Sequence, residues 1–251
     1  MIMAILERLG VIKHRLVRDH FLVQKDDLYK VFEESHLRKL LERYQVDCIF
    51  DVGADHGQYV EMVRKMVGYP GLIISFEPNP DSYAVLREKA ARDPKWVVEN
   101  LALSAADGSQ NFNIMSASQF SSLGTPRHAE VSLFAESNRI SRSVNVRTET
   151  LTTAFERLQR EHNFARPFLK LDTQGFDVEI VRHGRAVLAN FVGLQSELAI
   201  KRIYEESIDF REAITSYEEL GFVLSALVPN NEGHFPLLIE TDCIMVRKEL
   251  I

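Results

Sequence analysis

The sequence predicts an α/β chain built on a doubly wound, Rossmann-like sheet, mostly parallel, with one reversed C-terminal strand and N-terminal helices ahead of it. Three observations predict this. Apolar runs of strand length alternate with amphipathic runs of helical period from residue 46 onward. The first run, 46–50, opens directly into Asp51-Val52-Gly53-Ala54-Asp55-His56-Gly57, an acid and a glycine turn followed by the helix-compatible run 58–67. The last two runs, 221–228 and 241–246, are separated by a turn-rich stretch at 229–236 and not by a helix, so the chain ends hairpin-like and one strand must be reversed.

Residues 1–45 read as a helical segment ahead of one domain at 46–251. Residues 1–9 begin apolar, but Glu7 and Arg8 interrupt them well short of the roughly 20 residues a bilayer span needs. No small-residue cleavage site follows, so neither a signal peptide nor a membrane anchor is expected. Ile5, Leu9, Ile12, Leu16 and Phe21 recur at helical spacing among Arg8, Lys13, Arg15 and Arg18. This predicts a helix packed on the domain or on a second subunit, giving a homodimer through the N-terminal helices. The alternative is a weak contact with a membrane surface or an acidic substrate. A second helix, 26–44, carries Leu28, Val31, Phe32, Leu37, Leu40 and Leu41 on its apolar side.

The glycine turn marks a ligand site. A dinucleotide fingerprint has glycine where Asp51 stands, so that a pyrophosphate can approach the backbone; a carboxylate there repels phosphate. An acid with Gly53 and Gly57, where a side chain would collide with the ligand, suits a cationic ligand without phosphate. S-adenosylmethionine has that character. The second strand, 71–77, ends in Glu77, a carboxylate placed to accept both ribose hydroxyls of an adenosyl group. Pro78-Asn79-Pro80-Asp81 stops that strand and starts a helix over 82–91.

A third strand over 95–103 brings Ala102 and its neighbours beside the adenine, which needs apolar walls. Asp107-Gly108 turns the chain, and 110–115 pairs back antiparallel. Residues 116–143 hold no sustained period and are rich in Ser, Asn and Arg; a loop this long reads as a lid that orders over the acceptor, the alternative being a disordered insertion. Alternation resumes at Val144, Val146 and Thr148, and 150–163 reads as a helix with Leu151, Ala154, Phe155 and Leu158 inward. The fourth sheet strand, 167–172, lies beside the first in this topology and puts Asp172 where a transferred methyl group belongs. Gly175 turns the chain into a helix over 176–188. The fifth strand, 191–197, brings Gln195 and Glu197 to the same rim. The structural alternative for Glu197 is a cap on the helix that follows.

Five stretches in this order, DVGADHGQY (51–59), FEPNP (76–80), NLALSAADG (100–108), LKLDTQGFDVEIV (169–181) and LQSELAI (194–200), resemble the FkbM family of S-adenosylmethionine-dependent methyltransferases, over about residues 47–248. The resemblance implies a class I methyltransferase fold, S-adenosylmethionine as cofactor, and O-methylation of a hydroxyl on a sugar, glycolipid or polyketide-like small molecule. With the turn chemistry, it gives Asp51, Gly53, Asp55, Gly57, Tyr59, Glu77, Pro78, Asn79, Ala102 and Asp172 as cofactor-binding residues. Asp55 stands where the family usually has Asn, and Gln174 and Phe176 stand where Glu and His are common.

Composition agrees. A chain of 251 residues, 45% hydrophobic, holds one large domain with an ordinary core. A net charge of −6 disfavours a nucleic-acid binder, which would carry a basic face. Cys48 and Cys243 sit in apolar strands without C-x-x-C spacing, so buried reduced thiols and a cytoplasmic protein are expected. No His or Cys spacing suggests zinc.

Methyl transfer from a sulfonium requires an acceptor aligned with the methyl carbon and a group that removes the hydroxyl proton. Asp172, Glu197 and His128 are the candidates, in that order. A divalent cation shared by Asp172 and Glu197 is the alternative; the metal-free base is favoured because only two rim acids can be named and Mg²⁺ usually recruits more oxygen ligands. Two rival classes stay open: a nicotinamide-dependent dehydrogenase, which Asp51 disfavours, and a catalytically silent S-adenosylmethionine-binding scaffold, suggested by the Gln and Phe after Asp172.

Overall fold

The computed structural model describes residues 11–16, 19–24, 28–229 and 236–251, with backbone alone over 11–24. Strands β3 (Cys48–Val52) and β9 (Pro167–Leu171) are buried at every position, as central parallel strands covered on both faces must be. β3 pairs in parallel with β4 (Leu72–Phe76), which pairs with β5 (Trp96–Glu99). On its other side β3 pairs with β9, and β9 with β10 (Gly193–Ala199), both in parallel. β12 (Glu240–Arg247) runs antiparallel to both β10 and β11 (Phe222–Pro229), so it is the reversed strand that the C-terminal hairpin required. The full order is β11-β12-β10-β9-β3-β4-β5. Chain direction across the sheet reverses between β3 and β9, and a crevice forms at their carboxyl ends.

Helices cover both faces. α1 (Lys30–Arg43), α2 (Gln58–Met62, continued by a π turn over Val63–Val67) and α3 (Pro80–Ala90) bury Leu37, Leu40, Val60 and Leu86 against Ile49, Ile73 and Phe168. α4 (Leu151–His162), α5 (Asp177–His183) and α6 (Phe210–Glu219) bury Leu151, Phe155, Leu158, Ile180 and Tyr217 against Phe50, Phe76 and Leu169. Phe50 anchors that side: the rings of Phe164 and Phe191 meet it edge-on at 5.4 and 5.5 Å, an arrangement their quadrupoles favour. Among the described residues, no helix is long and apolar enough to cross a membrane.

Four expectations change. The first helix of the N-terminal segment is not formed over 11–24: β1 (Val11–Leu16) and β2 (Asp19–Gln24) pair as an antiparallel hairpin. Val11, Ile12, Phe21 and Val23 are strand-forming residues, and pairing satisfies their backbone without a buried helical stripe. The helical dimer contact therefore has no helix over 11–24 to carry it, and Ile5 and Leu9 lie outside the described residues, as does most of the 229–236 turn. The strand expected over 95–103 divides in two. Asn100 Nδ2 donates to the Glu77 carbonyl at 2.8 Å and breaks the ladder; β6 (Ala102–Leu103) then joins a separate three-stranded sheet, β6-β8-β7, with β7 (Gly108–Met115) and β8 (Ile140–Glu149). The expected loop thus ends at 139, and it is packed. Phe120 and Val131 are buried with Met115, Ile203 and Tyr204, and the Tyr204 hydroxyl donates to the Phe120 carbonyl at 2.6 Å. Finally, the helix expected over 176–188 is the shorter α5, with a 3₁₀ turn at Leu188–Asn190 behind it.

Candidate active site

β3 delivers the chain into the turn at the sheet's carboxyl edge. Gly53 and Gly57 take φ of +77° and +85°, and Asp55 is left-handed too, at +42°. The N–H groups of Gly53 and Ala54 both donate to the Phe76 carbonyl, at 3.1 and 3.2 Å, which ties the turn to β4. A Cβ on Gly53 would lie 1.8 Å from the Asp172 carbonyl oxygen, and one on Gly57 would lie 2.7 Å from the Trp96 ring. Neighbouring protein, not a ligand lying over them, is what demands both glycines. Gly53 still reaches the cavity wall; Gly57 does not.

A cavity of about 650 Å³ opens at the switch point. One end is formed by Asp55, Glu77, Pro78 and the apolar Phe76, Leu101, Ala102, Leu103 and Phe112. Glu77, 5% exposed at the tip of β4, accepts from the Asp55 N–H at 2.7 Å and from the Asn79 N–H at 2.8 Å, one on each oxygen. Burial pushes its pKa up to about 8 against those two hydrogen bonds. Asp55 in turn accepts from Ser82 Oγ and Gln58 Nε2. Asn79 caps α3 through the Asp81 N–H at 3.1 Å and stays off the cavity wall; it positions Glu77. An apolar slot beside a fixed carboxylate suits a flat heterocycle carrying a diol.

Asp51 lies beneath the cavity and not on its wall. It is 0% exposed and belongs to a polar row that crosses the sheet at one register level, Ser75, Asp51, Lys170 and Gln195. Trp96 Nε1 donates to Ser75 Oγ at 2.9 Å, and Ser75 Oγ donates to Asp51 Oδ2 at 2.8 Å. Lys170 Nζ lies 3.2 Å from Asp51 Oδ1, 3.7 Å from Asp172 Oδ2, and donates to the Gly53 carbonyl at 3.2 Å. Burial opposes the charge on Lys170, but Asp51 and then Asp172 outweigh it and raise its proton affinity above that of an ordinary lysine. The direct cofactor contact expected of Asp51 is thus replaced by a partnership with Lys170.

The other end of the cavity is acidic. Asp172, Glu197, Glu240, Asp242 and Glu33 line it together with Gln174, Gln195, Tyr59, Lys30 and Lys170. Gln174, itself left-handed at φ +56°, donates from Nε2 to Asp172 Oδ1 and to Glu197 Oε2, both at 2.9 Å. Gln195 Nε2 donates to Glu33 Oε1 and Asp242 Oδ2 at 2.7 and 2.8 Å, while the Tyr59 hydroxyl donates to its Oε1 at 3.3 Å. Burial, then Glu240 and Asp172, push the Glu197 carboxyl well up; burial, then Glu33, does the same to Asp242. Glu240 rises to about 8 through burial and Asp172. Ser118, Phe120, Leu123 and Phe134 of the packed loop form the roof.

Asp172 and Glu197 are therefore brought together, and Glu197 caps no helix; Asp209 caps α6. His128 is exposed on the loop and absent from the cavity wall, so the geometry does not bring it to the acids. Lys170, Glu33, Glu240 and Asp242 escaped sequence reasoning. The lysine in the otherwise apolar Pro167-Phe168-Leu169-Lys170-Leu171 was the one signal for the first, and acids at alternate positions leading into an apolar strand were the signal for the last two. Glu33 had none. Among the described residues, no group of three His, Cys, Asp or Glu is placed to hold a metal ion.

This strand order, with its single reversed strand and a cavity at the switch point, is that of the class I methyltransferases. The methyltransferase FkbM domain matches residues 51–224, and the chain belongs to that family. Among curated proteins none matches. Solved structures with a similar fold include Aeropyrum pernix fibrillarin with natively bound S-adenosyl-L-methionine, at 12% identity, TM-score 0.48, and coverage of 94% of this chain and 83% of that one. Magnesium protoporphyrin IX methyltransferase from Synechocystis PCC 6803 with bound SAM has 10% identity, TM-score 0.46, and coverage of 93% and 86%. Methyltransferase FkbM from Methylobacillus flagellatus KT has 10% identity, TM-score 0.48, and coverage of 80% and 43%.

Proposed function

We propose that the protein O-methylates a hydroxyl of a small molecule of the sugar, glycolipid or polyketide-like kind, with Asp172 as general base. The observation that carries this reading is the pairing, in one cavity, of Glu77 on the β4 side of the switch point with Asp172 on the β9 side. Bound S-adenosylmethionine supplies an activated methyl group on a sulfonium. Glu77 would hold its ribose, with Pro78, Leu101, Ala102 and Phe112 around the base, and Asp55 and the Gly53 backbone beside the methionine portion.

Asp172 accepts the acceptor's hydroxyl proton. Its side chain is 39% exposed toward the cavity, and it is steadied by Lys170 at 3.7 Å and by Gln174. Lys170 is a positioning residue: its ammonium, fixed from below by Asp51, holds one oxygen of Asp172. Burial and the neighbouring Glu240 push the Glu197 carboxyl well up, and Gln174 links it to Asp172. The packed loop roofs the site with Phe120, Leu123 and Phe134. The test is transfer of labelled methyl from S-adenosylmethionine to a panel of hydroxyl acceptors by the wild type and Asp172→Asn. A fall in kcat of a hundredfold or more, with S-adenosylhomocysteine affinity retained, is expected; near-normal turnover by the variant places the base elsewhere. A protein that binds S-adenosylhomocysteine but methylates nothing would be the silent scaffold.

A further inference from the structure

The roof of the cavity and the loop that carries Asp172 are joined by one side chain that lies behind the wall. Ser121 and Leu123 stand on the cavity wall, and Ser122 between them does not. It is 1% exposed. Its Oγ donates to the Gln174 carbonyl at 2.8 Å, with the Thr173 carbonyl at 3.2 Å, and accepts the Gly124 N–H at 2.9 Å. A hydroxyl has one proton, so that proton is shared by two consecutive carbonyls of the loop that follows Asp172. Ser122 is itself anchored. Its backbone exchanges two hydrogen bonds with Asn113 of β7, at 2.8 and 3.0 Å, and Asn113 Nδ2 donates to the Gly124 carbonyl at 2.9 Å.

A second observation says what this tie is for. Gln174 is left-handed at φ +56° and Gly175 follows at +104°, and a residue other than glycine keeps that conformation only where its surroundings fix it. Gln174 Nε2 then reaches back to Asp172 Oδ1, two residues earlier, and to Glu197 Oε2, both at 2.9 Å. Gln174 Oε1 is buried with no hydrogen-bond partner among the described residues, so the amide is held from one side only. Where it sits is decided by its backbone, and Ser122 holds that backbone. Asp177 Oδ1 accepts the Thr173 N–H at 2.9 Å and fixes the same loop from the side of α5.

We infer that Ser122 is a positioning residue for Asp172, tying the roof to the base loop so that Gln174 aims the carboxylate at the acceptor; this rests on the O-methylation reading above. Ser122 touches no reacting atom. Its effect passes through the Gln174 backbone to the Nε2 that holds Asp172 Oδ1, while Lys170 lies 3.7 Å from the other oxygen. Roof and base are thereby one piece: lifting the roof at Ser121 and Leu123 releases the Gln174 carbonyl, and with it the aim of the base. A reacting group misplaced by about 1 Å loses about a hundredfold in rate, so a partial loss of aim should cost about tenfold.

The experiment uses the whole protein saturated with S-adenosylhomocysteine and compares wild type, Ser122→Ala and Tyr204→Phe by hydrogen exchange with mass spectrometry. Ser122→Ala should raise exchange at least fivefold over 169–181, the stretch that holds the base loop. Tyr204→Phe, which loosens the same roof at the Phe120 carbonyl, should raise exchange over 116–139 and leave 169–181 within twofold. In methyl transfer from labelled S-adenosylmethionine to the hydroxyl panel, Ser122→Ala should lower kcat about tenfold with the acceptor KM within threefold, whereas Tyr204→Phe should act mainly on KM. Gln174→Ala should lower kcat at least as much, and adding Ser122→Ala to it should cost less than a further twofold, because both act on Asp172 by one route. S-adenosylhomocysteine affinity within twofold of wild type shows that each variant folds. Unchanged exchange over 169–181, a KM effect without a kcat effect, or additive losses in the double variant overturns the proposal. If the wild type transfers no methyl to any hydroxyl, the O-methylation reading falls, and exchange over 169–181 alone decides whether Ser122 holds the loop.

Discussion

Replacing Glu77 by Gln changes one atom of the side chain, and the structure says what that atom costs. Each oxygen of Glu77 accepts a backbone N–H, from Asn79 at 2.8 Å and Asp55 at 2.7 Å. An amide can answer only one of them, so the other N–H is left facing an NH₂ in a site 5% exposed. A buried donor stripped of its acceptor costs about 1–3 kcal/mol of folding stability. Losing a hydrogen bond from a cofactor hydroxyl to a charged acceptor costs about 1.5–3 kcal/mol more in binding, or roughly ten- to a hundredfold in affinity. Calorimetry with S-adenosylhomocysteine on wild type and variant measures this, with circular dichroism to confirm folding. The pH dependence sharpens the test. With Glu77 pushed up to about 8, a ligand that needs the carboxylate meets a shrinking competent fraction as pH falls below that value. Wild-type affinity should weaken by up to about tenfold per pH unit there, and the variant should lose that slope. Affinity within twofold of wild type, or an unchanged slope, would refute the assignment of Glu77.

Further outcomes are expected. Lys170→Met leaves Asp51 buried without its cation and should cost about 3–5 kcal/mol, about 6–20 °C in Tm for a chain of this size, while adding Asp51→Asn should recover most of it; a silent single variant would remove the polar row from the stability account. Gly53→Ala should yield no soluble folded protein, because the new Cβ would meet the Asp172 carbonyl at 1.8 Å; a folded variant with normal melting contradicts the packing described. The raised proton affinities of Glu33, Glu77, Glu197, Glu240 and Asp242 mean that the folded state holds protons more tightly than the unfolded chain, so their stabilisation is complete below the ordinary carboxylate range and lost as pH rises through their raised values, which for Glu77 and Glu240 are about 8. Ligand-free protein should therefore melt lower at pH 8.5 than at pH 5.5 by scanning fluorimetry, and the opposite trend would count against buried acids. Tyr204→Phe frees the Phe120 carbonyl and should speed tryptic cleavage at Arg127, a change that bound cofactor and acceptor reverse if the loop is a working lid.

Periodicity and turn chemistry reached the fold because they are local. The alternation of strands and helices from residue 46, the acid at the end of β4 and the reversed strand all follow from nearest-neighbour patterns that tertiary packing did not override. Division of the 95–103 strand was not legible, since it depends on Asn100 finding the Glu77 carbonyl across the sheet. Nor was the N-terminal hairpin, where Ile12 and Phe21 fit both periods. The turn acid was read as a ligand contact because a sequence shows which residue ends a strand, not whether its side chain faces the crevice or the layer beneath. Lys170 explains the difference, and that pairing spans about 120 residues of chain. The acidic wall was half visible: Asp172 and Glu197 end strands that meet at the switch point, while Glu33 reaches them only through the way α1 packs.

The near-contact between Gly53 and the Asp172 carbonyl has a consequence for how such a protein changes its preferences. The loop that should hold the methyl donor and the loop that carries the proposed base touch through backbone, with no side chain between them to lengthen, shorten or slide. The approach of the two loops is thus a property of the peptide chain itself, and only Lys170 and Gln174, which hold the Asp172 carboxylate, can shift the base within it. Variation in what is methylated must then come from the parts that frame the cavity without setting that spacing: the roof over Phe120 and Phe134, and the first residues of β12. Drift in those places can exchange one acceptor for another while the chemical step keeps its dimensions.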